Sequence, residues 1–249
     1  MGSSWSRFWK DGGSSRPAAG SRRRSRLRPT GWSRRCRGRS YGVVLNSRAQ
    51  LAAMGEALEQ PPYKAAPVAP VLYIKPPNTY RPHGAEVPVP TGVEALEVNG
   101  VLAVVIGRTA CRVAERNALG HVLGYAVAID VCIPHASLHR PAIRQRCRDG
   151  FLPIGPWIVA RDEVADPDAL TIVVSVNGEE TSRYALSDLV RPAAQMIADV
   201  SEFMTLSEGD ALLVGLAPDG PRARVGDRVE ARIDGVGALS CTLVAEASA

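Results

Sequence analysis

The sequence predicts an α+β fold rich in strands, a mixed β-roll with a few flanking helices. Three observations point there. Short β-branched runs of strand length, such as residues 101–106 and 171–176, outnumber helical patterns. Strands and helices do not alternate strictly, and neither GxGxxG nor a P-loop pattern occurs, which argues against a doubly wound nucleotide-binding sheet. Asn177-Gly178 separates two extended segments and favours the positive φ that both central residues of a type I′ hairpin need.

Taken in order, residues 41–45 read as a short buried strand. Ser47 then opens a helical stretch with Leu51, Met54 and Leu58 at core-facing spacing, closed by Pro61-Pro62. Residues 71–74 read as a strand stopped by Lys75-Pro76-Pro77-Asn78, and residues 81–92 as a Pro- and Gly-rich loop with brief extended pieces. Residues 101–106 form a central strand ended by Gly107, 115–123 a helix, and 125–133 a second buried strand. After the 171–185 hairpin, Ser187 is placed to cap a helix whose apolar stripe runs through Leu189, Ala193, Met196, Ile197, Val200, Phe203 and Met204. Strands at 211–214, 228–233 and 239–244 follow, with Gly-Asp and Asp-Gly turns between them.

Composition sets the broad class. With 249 residues, 45% hydrophobic and 22% charged, the chain can bury a sizeable core. No apolar run reaches the ~18 residues of a membrane-spanning helix. The formal net charge of +5 divides unevenly. Residues 1–40 hold twelve of the thirty basic residues and one acid, Asp11, so residues 41–249 carry a net −6. The basic character belongs to the first forty residues, not to a nucleic-acid-binding surface on the fold. That segment is rich in Arg, Ser and Gly and lacks apolar periodicity, so it is expected to be a disordered tail beside a single domain spanning 41–249. An upstream start codon, a transit peptide, or a nucleic-acid- or lipid-binding arm such as Arg22-Arg23-Arg24 would each account for it, the first most simply. Five widely spaced cysteines without a CxxC pair argue against a disulfide framework and fit a reducing, cytoplasmic setting.

The motifs that carry chemistry come in a fixed order: LAVVIG at 102–107, GYAVAIDV at 124–131, PIGPWIV at 153–159, VNG at 176–178 and SEFMTLSEGD at 201–210. Together they resemble the fumarylacetoacetate hydrolase family across essentially all of residues 41–249. RCRDGF at 146–151 after Arg140-Pro141, and LNSRAQL at 45–51 followed by QPPYKA at 60–65, narrow the resemblance. The similar branch is that of the isomerase/decarboxylases of 4-hydroxyphenylacetate (homoprotocatechuate) catabolism, in particular the amino-terminal half or separate first subunit.

The resemblance implies a fumarylacetoacetate-hydrolase-like roll with Mg²⁺ or Mn²⁺ held by a Glu-x-Glu pair and a later Asp. The cation would chelate a 2-oxo acid and stabilise the enolate formed on decarboxylation or proton shift. Carried onto this sequence, the later Asp is Asp130, while the Glu-x-Glu positions fall on Asn99 and Val101; Glu97 lies two residues upstream of Asn99. Gln50 stands where the family commonly has His, and VGLA at 214–217 where it commonly has Thr-Gly-Thr-Pro. Arg146 replaces a common Lys and keeps the charge but cannot act as a base near neutral pH. Lys75, Arg146 and Arg148 remain as candidate catalytic cations, Arg148 and Asp149 as substrate-binding residues, and Asp130 as a lone metal ligand.

Each residue also has a plainer account. Asp130 could be a buried carboxylate bonded to backbone amides, Lys75 a solvated strand-end lysine, and Arg146, Arg148 and Asp149 a structural ion pair. His135 and His139 are expected at the surface. The function implied is a subunit of a 2-oxo-acid isomerase/decarboxylase acting on a small 2-oxo dicarboxylic acid, as a homodimer or beside a paralogous subunit that carries the metal site. No nucleic acid and no membrane is implied. A stand-alone acylpyruvate or 2-oxo-acid hydrolase, or a non-catalytic anion- or protein-binding member, would share the same residues.

Overall fold

The computed structural model describes residues 38–135, 141–217 and 219–247. The expectations for residues 1–37 and for His139 therefore lie outside the described residues. Among the described residues there are thirteen strands: β1 (Ser40–Val44), β2 (Val71–Lys75), β3 (Tyr80–Arg81), β4 (Glu86–Val89), β5 (Leu96–Ile106), β6 (Val122–Cys132), β7 (Leu152–Ala160), β8 (Thr171–Val176), β9 (Glu179–Ala185), β10 (Ala211–Val214), β11 (Arg222–Ala223), β12 (Arg228–Ile233) and β13 (Gly237–Ala245). The α-helices are α1 (Arg48–Met54), α2 (Glu115–Ala118), α3 (Ile143–Arg146) and α4 (Ala193–Phe203).

The strands form two sheets. The larger runs β2-β1-β10-β5-β6-β7-β3 with β11 beside β5, and the smaller runs β4-β13-β12-β8-β9. Most pairs are antiparallel; β1–β10, β3–β7 and β4–β13 are parallel. This is the predicted strand-rich α+β class.

Strand alternation along β5 divides the core. Leu96, Val98, Leu102, Val104 and Ile106 join the cluster between the sheets, with Ile172, Val174, Ala231 and Leu239 opposite. Val101, Ala103 and Val105 point to the other face, where Ala126, Ala128, Ile154 and Leu213 complete a second cluster and Leu51 and Met54 of α1 pack against it. The sheets pack tightly at Gly100, where a Cβ would collide with Ile172 and Val174.

The hairpin forms as expected, with Asn177 at φ 54° and Gly178 at φ 89°. Ser47 caps α1 by accepting from the Gln50 amide. The central strands are longer than their β-branched runs, because Gly100 and Asn99 continue β5 and Gly124 continues β6. The helix expected over 115–123 is only α2 and one 3-10 turn, after which β6 begins. Ser187 does not cap α4. It lies in a separate 3-10 turn, Pro192 precedes the first helical residue, and the Ala193 amide donates instead to Asp168. Proline disfavours helical backbone in the residue before it, so the helix cannot reach back to Ser187. Phe203, assigned to the apolar stripe, is exposed, whereas Ala193, Met196, Ile197 and Val200 are buried.

Candidate functional site

The site lies where one row of side chains changes from apolar to polar. Along the second-cluster face of β5 the order is Val105, Ala103, Val101, then Asn99 and Glu97. On β6 it is Ala126, Ala128, then Asp130 and Cys132. The β5–β6 register sets Val101 against Ala128, Asn99 against Asp130 and Glu97 against Cys132. Asn99 and Asp130 are thus cross-strand neighbours, and both are buried.

Three side chains from elsewhere converge on Asp130. Lys75 Nζ lies 2.9 Å and an Arg146 terminal nitrogen 3.3 Å from Oδ1, while the Tyr73 hydroxyl donates to Oδ2. Tyr73 and Lys75 share a face of β2 because they stand two residues apart. Arg146 comes from α3 and stacks its guanidinium 4.4 Å from the centre of the Tyr73 ring. Lys75 also donates to the carbonyls of Val131 at 2.7 Å and Phe151 at 2.9 Å, so its ammonium is satisfied without water.

Two cations meet the Asp130 carboxylate, and Glu97, bonded to Asn99 beside it, is a second acid of the neighbourhood. Burial, opposed by Asp130, pulls the Lys75 ammonium below its ordinary range. Burial and then the Asp130 charge push the Tyr73 phenol well above its own. Burial is the largest influence on Arg146 and works against its charge, but Asp130 together with Tyr73, Cys132 and Glu97 outweighs it, and the guanidinium is held more firmly protonated.

The plainer accounts of two residues are corrected here. Lys75 is wholly buried, not solvated, because β2 ends against β6 and β7, where the two carbonyls receive it. Asp130 is bound by side chains rather than backbone amides. The suggested ion pair within Arg146-Cys147-Arg148-Asp149 is also replaced: Arg146 binds Asp130, Arg148 binds Glu246 at 2.8 Å, and Asp149 accepts from Asn78 at 2.7 Å. Arg148 and Asp149 therefore have partners of their own outside the Asp130 cluster. In the 214–217 segment, Leu216 and Ala217 pack into the two apolar clusters and offer no hydroxyl donor.

Tyr73 went unassigned in the sequence, although its two-residue offset from Lys75 was visible. Its ring needs Gly42 on β1, the cross-strand partner of Tyr73, whose missing side chain makes the space.

The donor set does not fit a resident Mg²⁺ or Mn²⁺. Both Asp130 oxygens are already bound, Val101 has no ligand atom, and Asn99 offers one neutral oxygen. That oxygen, Oδ1, is buried without a hydrogen-bond partner, while Nδ2 donates to Glu97 at 2.9 Å. Gly220 packs directly over Asn99 and Glu97, so a Cβ there would collide with both. Among the described residues no three His, Cys, Asp or Glu side chains group as a metal site. What remains is a buried, internally paired cluster, with the unpartnered Asn99 oxygen and the Glu97 carboxylate beside it.

The fold and the motif order together define a class. The profile described as fumarylacetoacetate (FAA) hydrolase C-terminal matches residues 39–244, and the chain belongs to that family. Its relatives include a 4-hydroxyphenylacetate degradation bifunctional isomerase/decarboxylase of Salmonella dublin, 41% identical over 210 residues, covering 84% of this chain and 48% of the relative. The chain thus spans about half the length of that relative. Among solved structures, fumarylpyruvate hydrolase from Pseudomonas aeruginosa in complex with Mn²⁺ and pyruvate superposes with a TM-score of 0.72 at 27% identity, over 84% of this chain and 90% of that one. A 5-carboxymethyl-2-hydroxymuconate delta-isomerase from Mycobacterium smegmatis gives 0.71 at 27% identity, over 85% and 80%. The family is one of enzymes that act on small organic acids.

Proposed function

We propose that this chain is one half of a 2-oxo-acid isomerase/decarboxylase in 4-hydroxyphenylacetate meta-cleavage catabolism, with turnover resting on a paralogous half that carries Glu-x-Glu. The identity to the bifunctional relatives, over about half their length, supports the pathway. The observation that carries the division of labour is Asp130, bound by Lys75, Arg146 and Tyr73 with Asn99 and Val101 beside it. In this reading Lys75 and Arg146 act as positioning residues that hold Asp130 and do not touch substrate, and Arg148 and Asp149 contribute only by shaping the nearby loop. Residues 41–249 act as one domain in the cytoplasm, assembled with the paralogous half or with a second copy.

The test compares turnover of the meta-cleavage 2-oxo dicarboxylic acid, with Mg²⁺ present, by the chain alone and by the chain co-purified with its paralogue. Negligible turnover alone and full turnover in the pair is the expected result. A second reading, a stand-alone acylpyruvate-type hydrolase, is favoured by the 90% coverage of an entire solved fumarylpyruvate hydrolase chain. Efficient turnover of an acylpyruvate by the chain alone would establish that reading instead.

A further inference from the structure

A cavity of about 720 Å³ opens at the far end of the β5–β6 pair from Asp130. Eight residues of β6 separate Val122, beside it, from Asp130, roughly 25 Å at the rise of a strand. Its walls include Arg108, Arg112, Arg116, His121 and Arg161, with Leu119 among the apolar residues, and no Asp or Glu lines it. Arg161 is paired with the exposed Asp162; Arg112 also borders an adjoining cavity lined by Glu115, Asp199 and Glu202, and Arg116 one lined by Glu115. Arg108, Arg112 and Arg116 make no ion pair among the described residues. On residues 41–249, which carry a net negative charge, this concentration of cations is a local inversion that focuses field on one concave surface.

The cations are also positioned. His121 Nδ1 faces the carbonyls of Arg108 and Thr109, at 3.2 and 2.9 Å, which calls for a proton on Nδ1 and leaves Nε2 to accept from Arg108 at 3.2 Å. Arg112 has φ 50°, a left-handed conformation unfavourable for a side-chain-bearing residue. Two bonds from the 112–113 backbone hold it there: the Arg112 amide donates to the Ser201 carbonyl at 2.6 Å and the Val113 amide to Ser201 Oγ at 3.0 Å. Strain kept in place by specific bonds is a mark of a functional turn.

We infer that this cavity binds a small molecule bearing two or three linked phosphates. Three guanidiniums without an ion pair among the described residues favour a multiply charged anion, and guanidinium forks match phosphate oxygens in pairs. Leu119 and the other apolar lining leave room for an organic moiety beyond the phosphates.

The test is calorimetry on the full chain in about 50 mM salt, where charge-dependent binding is least screened, with tripolyphosphate and ATP as probes and citrate and adenosine as controls. The variants are Arg112→Ala/Arg116→Ala and, as a control for general charge, Arg222→Ala; all three side chains are exposed. The basic amino-terminal segment is common to every protein compared, so the difference between wild type and variant is the reading. The double variant should lose one binding equivalent or weaken roughly tenfold or more, since charge-assisted hydrogen bonds are each worth about that factor. Arg222→Ala should match wild type, and citrate should bind more weakly than tripolyphosphate. ATP binding beyond tripolyphosphate would place an organic moiety on the apolar lining; equal binding would assign the site to the phosphates alone. Equal binding of tripolyphosphate by wild type and double variant, or equal losses in the double variant and Arg222→Ala, would overturn the inference.

Discussion

Gly42 stands directly across the β1–β2 pair from Tyr73, and the Tyr73 ring occupies the space where a Gly42 side chain would be. The hydrogen bond from Tyr73 to Asp130 therefore depends on a glycine one strand away. Gly42→Ala should cost about 1–3 kcal/mol as overpacking, read by urea unfolding, and should displace the phenol from Asp130. Tyr73→Phe keeps the ring and should cost less. A Gly42→Ala protein as stable as wild type would mean that the ring has other room.

Asp130 is the carboxylate in contact with both buried cations, so its loss removes the ion-pair partner of each. Asp130→Asn should destabilise the fold by about 3–5 kcal/mol. The Arg148–Glu246 pair is partly exposed, with side chains 30% and 37% accessible. Arg148→Ala should therefore cost less than about 1 kcal/mol. Chemical denaturation of both variants checks the ranking, and equal costs would contradict the cluster described here.

Gly38 and Arg39 are bonded into the larger sheet. The Arg39 amide donates to Asp210 at 2.7 Å, the Ala211 amide to the Arg39 carbonyl at 2.9 Å, and the Tyr80 hydroxyl to the Gly38 carbonyl at 2.8 Å. Removing residues 1–37 should leave the thermal midpoint unchanged. Removing 1–39 should lower it by roughly 5–10 °C, from three lost hydrogen bonds of about 1 kcal/mol each. A fall of several degrees on the shorter deletion would show that the leading segment contributes to the fold.

Asp227 supplies a pH-dependent term. Bonds from the Arg224 amide at 2.7 Å and Asn177 Nδ2 at 2.8 Å hold its carboxyl below the ordinary range. A carboxyl with a lowered folded-state pKa contributes stability above its unfolded value, near 4, and loses it as pH falls through the folded value. Asp227→Asn should cost about 1 kcal/mol near pH 7, with the gap to wild type closing as pH falls through the lowered folded-state pKa. A gap independent of pH would contradict this.

The strand-rich class, the hairpin and the missing Glu-x-Glu were legible because each depends on local pattern: β-branched runs, Asn177-Gly178, and the count back from Gly107 to Asn99 and Val101. The partners of Asp130 were not, because Tyr73, Lys75 and Arg146 reach it only through the curl of the larger sheet and the placement of α3. The start of α4 was missed for a related reason. Ser187 has the chemistry of a cap, but Pro192 and the distant Asp168 decide where the helix begins.

The central claim is that Asp130 is committed to Lys75, Arg146 and Tyr73 and is not available to a divalent ion. Titrating Mn²⁺ and Mg²⁺ into the wild-type chain by calorimetry tests it most directly, with Asn99→Glu/Val101→Glu as the comparison that supplies the two absent carboxylates. No binding by wild type below about 1 mM, and Mn²⁺ binding by the double variant, is the result predicted for a site short of carboxylate ligands. Micromolar Mn²⁺ binding by the wild-type chain, lost in Asp130→Asn, would contradict it.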